Sequence, residues 1–125
     1  MKNTTPIAAL LCATLLAGCS TPGDFVSEGP TAEFKSTRTP IQAANCVARN
    51  ADEFYAGYSA SVRYAVDEEP VEVFVRVGQN LLSLVRIYPL SDGSKIKLFS
   101  RHWAAQLHNK DGLTIDERLT KGCLF

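Results

Sequence analysis

The chain is poor in the residues that most often build a chemical site. It has one Trp, one Met and two His in 125 residues. Two histidines and a few scattered cysteines fall short of the clustered ligand set that a structural zinc ion needs. Eight Gly and six Pro are too few for a collagen-like or low-complexity chain. Neither charge sign is in surplus, with 13 Lys+Arg against 13 Asp+Glu, which excludes a basic nucleic-acid-binding tail. No apolar run reaches the ~20 residues that span a bilayer. Neither a coiled-coil pattern nor an internal repeat is present. What remains, 46% hydrophobic and 21% charged, is the composition of one ordinary globular domain, too short for a multidomain enzyme.

The first residues read as an address rather than as structure. Lys2 supplies a positive charge, and Ile7 to Leu16 is apolar apart from Thr14. A run of roughly ten residues has the length of a secretory signal core, not of a membrane span. It ends in Leu16-Ala17-Gly18-Cys19. That ending resembles the bacterial lipoprotein signal: a Leu, two small residues, then the Cys that takes the lipid and becomes residue one. The resemblance implies a signal peptide over 1–18 and acylation, palmitate included, at Cys19. Several acyl chains on one Cys anchor stably, where a single chain is marginal. Ser20, where an Asp retains such proteins at the inner membrane, implies passage to the outer membrane. The expected location is thus the outer membrane, lipid-anchored and facing the periplasm. Residues 19–31 are expected to form a flexible tether, with Phe25 and Val26 its only large apolar residues. A single domain over 32–125 follows.

Cysteine arithmetic agrees with an oxidising compartment. Cys12 leaves with the signal and Cys19 carries lipid, so Cys46 and Cys123 remain as a natural pair. A bond between them closes a loop of about 78 residues, most of the domain, and is worth roughly 4 kcal/mol in chain entropy.

Periodicity supplies the elements. Thr39-Pro40-Ile41-Gln42 offers a capping box with Pro at the first helical position. Ile41, Ala44, Val47, Ala48, Ala51, Phe54 and Tyr55 then recur at helical spacing, and Gly57 stops the run. Cys46 lies off that apolar face, so something besides the sheet must touch the helix flank, namely the C-terminus carrying Cys123. Glu33–Thr37 reads as a short strand, and Val62, Tyr64 and Val66 as alternate positions of a second. Val71, Val73, Val75 and Val77 alternate with Glu72, Phe74 and Arg76 in the cleanest strand of the chain. Leu81–Tyr88 is apolar on both faces, and Asp92-Gly93 signals the hairpin that returns through Lys95–Arg101. Thr114-Ile115-Asp116-Glu117 is a second capping box, with Gly122 as the stop.

The fold expected is α+β: an antiparallel four- to five-stranded β-meander, one main helix on one face, and a short C-terminal helix linked to it by the disulfide. One helix covers one sheet face, so the other is expected to be open. At this level the chain looks like a class of small proteobacterial outer-membrane lipoproteins of unknown function. The residues that carry the likeness are the lipobox, Thr37-Arg38-Thr39-Pro40, Cys46, the strands of Val71–Phe99, and Cys123. The resemblance brings no catalytic residues with it.

Few residues form a recognisable catalytic pattern. Ser100 and His102 share a strand face, but no acid is evident to orient the imidazole, and His108 falls in a polar stretch. Asp67-Glu68-Glu69 reads as a solvated turn. No phosphate-cradling glycine loop, metal cluster or nucleophile elbow occurs. The expectation is a non-enzyme without cofactors. By strand parity the face opposite the valines carries Phe74, Arg76, Phe99, Lys97 and Arg101, and also Arg86 and Tyr88 if Val85 and Ile87 point inward. Aromatics among arginines are what interface cores favour. These seven residues are the candidate contacts for an envelope protein or an anionic glycan; the compartment argues against nucleic acid. The function expected is an envelope accessory or binding module, the alternative being a periplasmic inhibitor of a cell-wall hydrolase.

Overall fold

The computed structural model describes residues 22–54, 57–64, 70–105 and 111–125. The lipobox with Cys19, the acidic run 67–69 and His108 lie outside them. The chain runs α1 (Pro22–Ser27), β1 (Ala32–Ser36), α2 (Pro40–Phe54), β2 (Tyr58–Arg63), β3 (Val71–Val77), β4 (Asn80–Leu90), β5 (Gly93–Ser100), α3 (His102–Ala105) and α4 (Ile115–Thr120). The five strands form one antiparallel sheet in the order β1-β5-β4-β3-β2. Strands β2 to β5 are the meander the sequence predicts, and β1 adds to the free edge of β5.

Helix α2 begins as the capping box dictates. The Gln42 backbone N–H donates to Thr39 Oγ1 at 3.3 Å, and the Thr39 N–H donates to Gln42 Oε1 at 3.2 Å. Its Ala44, Val47 and Ala51 pack on Val71, Val73, Val75, Val85, Ile87, Ile96 and Leu98 of the sheet. The helix also buries Ala43 and Cys46, against the C-terminal segment. This second contact turns the buried face, and Ile41, expected inside, stays half exposed.

The Cys46–Cys123 disulfide is present, with 5.7 Å between the two Cα atoms. The segment it holds is also tied by polar contacts. Asn50 Nδ2 of α2 donates to the carbonyls of Leu119 and Lys121 at 2.8 and 2.9 Å. Ser36 Oγ donates to the Cys123 carbonyl at 2.6 Å, and Arg38 donates to those of Gly122 and Phe125. Thr114 caps α4, its Oγ1 accepting from the Glu117 N–H at 3.2 Å.

The second sheet face departs from the expectation of an open surface. Residues 22–27, placed by sequence in the tether, form the short helix α1. Its Phe25 is buried with Leu81, Leu84 and Phe99, flanked by Val26 and Phe74, as a second small core. Pro22 suits a first helical turn, Asp24 complements the helix start, and Gly29 follows with φ 84°. Thr31 fastens the return, its N–H and hydroxyl both donating to the Leu98 carbonyl at 2.7 and 3.1 Å. This second core explains why β4 is apolar on both faces. Val85 and Ile87 face α2, and Leu84 faces α1. The pairing with β3 shifts between Val75 and Arg76, so Leu82 joins the α2 core while Leu81 joins the α1 core.

The hairpin between β4 and β5 forms where Asp92-Gly93 signals it. Leu90 pairs with Gly93, so Ser91 and Asp92 form the loop and Gly93 opens the strand. Beside it, the Ser94 hydroxyl is buried without a hydrogen-bond partner. Removing an unpaired buried hydroxyl relieves a desolvation cost. Ser94→Ala is therefore expected to raise stability by about 1 kcal/mol in urea denaturation.

Candidate functional site

The uncovered part of the outer face is built by strand register. Arg63 pairs with Glu72, Glu72 with Arg86, Arg86 with Lys97, and Lys97 with Glu33. This places a charged row across all five strands. Glu72 is its centre: the carboxylate is almost wholly buried, and pairs with Arg63 and with Arg86, whose Nε donates to Oε2 at 3.0 Å. Glu33 Oε1 lies 3.5 Å from Lys97 Nζ and 4.0 Å from Lys95 Nζ. Toward the hairpin end, Tyr88 pairs with Lys95 and Lys95 with Lys35.

The aromatic rings on this face are covered by basic chains. The Arg76 guanidinium lies 5.4 Å from the Phe74 ring centroid, and Lys97 Nζ lies 5.5 Å from that of Tyr88. Phe74, Arg76, Arg86, Tyr88 and Lys97 thus share one sheet face, Arg76 toward the β3–β4 turn and Tyr88 toward the β4–β5 hairpin, all of them partly exposed. Phe99 is not part of that surface, because α1 buries it. Arg101 sits apart, at the α1 end of the sheet. Its guanidinium lies 5.3 Å over the Phe25 ring, and its Nε donates to the Leu81 carbonyl at 2.9 Å.

Sequence reasoning left Glu72 and Glu33 out of the candidate surface, although both fall on expected strands. The signal was available, since Glu72 has the same strand parity as Phe74 and Arg76. Glu72→Ala leaves Arg86, which is largely shielded, without its carboxylate. A loss of about 2 kcal/mol is expected in urea denaturation, where exposed Arg63→Ala costs much less.

At the α1 end a shallow cleft of about 240 Å³ lies between Asp24, Phe25 and Glu28 on one side and Ser100, Arg101, His102 and Trp103 on the other. Trp103 and His102 are exposed at its rim.

Ser100 finds an acid, but as a structural tie. Its Oγ donates to Asp116 Oδ1 at 2.5 Å and lies 2.8 Å from Ser83 Oγ. All three residues are buried. The network pins α4 to β4 and β5, beside the disulfide. Asp116→Ala leaves the buried Ser100 O–H without its carboxylate acceptor, and a loss of about 2 kcal/mol is expected by thermal or urea denaturation. Ser83→Ala together with Ser100→Ala and Asp116→Ala should cost less than the single effects summed.

Among the described residues no group of three His, Cys, Asp or Glu is placed to hold a metal ion, and no helix is long and apolar enough to cross a membrane. No family model matches the chain, and no curated protein or solved structure matches it.

Proposed function

We propose that the protein is a lipid-anchored, non-enzymatic module of the outer membrane that docks an acidic envelope protein on the exposed part of its sheet. The observation that carries the reading is the charge of that face. Lys35, Arg63, Arg76, Arg86, Lys95 and Lys97 share it by register with only Glu33 and Glu72. Arg76 with Phe74, and Lys97 with Tyr88, offer flat cationic-aromatic contacts of the kind interfaces use. The lipobox over Leu16–Cys19 supports the anchor, and the Cys46–Cys123 bond supports an oxidising compartment.

The test is crosslinking in cells followed by co-purification of the tagged protein from membranes. The comparison is Arg76→Glu combined with Lys95→Glu, at matched expression. Both side chains lie outside the Glu72 pair, so the fold is expected to persist. A specific protein recovered with the wild type and lost with the variant supports docking on this face. Equal recovery with both chains overturns the site. No protein recovered with either overturns the protein-docking reading and directs the search to anionic glycan.

A further inference from the structure

We infer that the end of the sheet bearing Trp103 rests on the lipid surface. The inference deepens the lipid-anchor reading and depends on it.

Chain length limits how far the domain can stand from its anchor. Helix α1, from Pro22, is fixed to the domain, because Phe25 is docked in the second core and Thr31 is tied to Leu98. Only three residue steps separate Cys19 from Pro22. At most about 10 Å of extended chain fits between them. The headgroup layer on one side of a bilayer is itself roughly 5–8 Å thick. A domain acylated at Cys19 therefore cannot stand clear of the membrane. It is held with α1 at headgroup level.

An exposed indole lies beside α1. Asp24 of α1 and Trp103 of α3 line the same cleft, so Trp103 is carried to the membrane with α1. Trp103 is 59% exposed and has no place in either core. An indole exposed in this way suits the boundary between headgroups and acyl chains, where its ring is apolar and its N–H stays wet. The turn from β3 to β4 at the same end, Gly78-Gln79, carries no charge to resist the approach, and Val77 before it is also exposed. Strands rise about 3.4 Å per residue, so Lys97 lies about 14 Å along β5 from Arg101. The charged row is then lifted away from the lipid and faces sideways, accessible to a partner, with Arg76, one residue from Val77, at the edge of that surface nearest the lipid.

Trp103 is the only tryptophan of the chain, so its fluorescence reports this contact alone. The full lipoprotein, purified from membranes, is reconstituted into phosphatidylcholine vesicles with and without brominated acyl chains. The intact mass of the same sample reads the acylation of Cys19. The expected result is an acylated protein whose emission falls at least about twofold in brominated vesicles, with a smaller fall when a twelve-residue Gly/Ser insert follows Ser20. An acylated wild-type protein whose emission is unchanged by brominated lipid overturns the membrane contact and leaves the anchor standing. A protein without acyl mass overturns the anchor, and the contact with it.

Discussion

Replacing Cys46 and Cys123 together by Ala is expected to lower the stability of the domain by about 4 kcal/mol. The bond joins residues 77 apart and so restricts most of the unfolded chain. Both residues are buried, so Ala is preferred to Ser, which would add an unpaired hydroxyl. For a domain of this size the loss corresponds to a fall in Tm of roughly 15–25 °C. Thermal denaturation of the wild type with and without reductant, beside the double variant, checks it. The reduced wild type and the variant should agree. The bond also holds the C-terminal segment against α2 and β1, so the variant should lose protection there first, read as hydrogen exchange at Leu119 to Leu124. A Tm shift of only a few degrees would mean that the Asn50, Ser36 and Arg38 contacts hold the segment by themselves.

Gly93→Ala carries the second large effect. Gly93 opens β5 at φ 147°, in a region that L side chains rarely adopt. A Cβ there would be driven into the Ser36 carbonyl oxygen and within 2.9 Å of Thr37 Cα. Those are backbone atoms, and they are fixed: Ser36 pairs with Ser94, and its hydroxyl donates to the Cys123 carbonyl. Backbone strain and overpacking together are expected to cost about 3 kcal/mol, measured by urea denaturation. Gly78→Ala is the comparison. Gly78 also has positive φ, at 61°, but a Cβ there meets no atom within 4 Å, so only the conformational cost of about 1 kcal/mol applies. Equal losses at the two positions would contradict the close approach of β1 to the hairpin.

Gly93 also shows what the sequence could and could not convey. Asp92-Gly93 marks a hairpin, and the hairpin forms there, but the glycine serves a neighbouring strand rather than the turn. That need arises from β1, distant in sequence. Helix α2 was legible because its cap, its periodicity and its stop all lie within one segment. The valine alternation of β3 was legible for the same reason. The disulfide followed from counting. Helix α1 was not legible, because six residues hold too few turns for a period, and its only strong feature is the burial of Phe25 against strands far along the chain. The shift between Val75 and Arg76 was hidden as well, since a bulge leaves no residue signature in an apolar run. Of the candidate surface, the basic and aromatic positions could be read from parity once one strand was assigned. Glu72 could have been read too. Its burial could not, because it depends on Arg63 and Arg86 arriving from the two flanking strands.

The most direct test of the account is the intact mass of the protein extracted from membranes of cells that make the full chain, beside Cys19→Ala. The expected result is a chain that begins at Cys19 and carries acyl mass, recovered only with detergent. Cys19→Ala is expected to yield no acylated chain. A wild-type protein that keeps residues 1–18, or begins elsewhere without acyl mass, would contradict the anchor on which the proposed function rests.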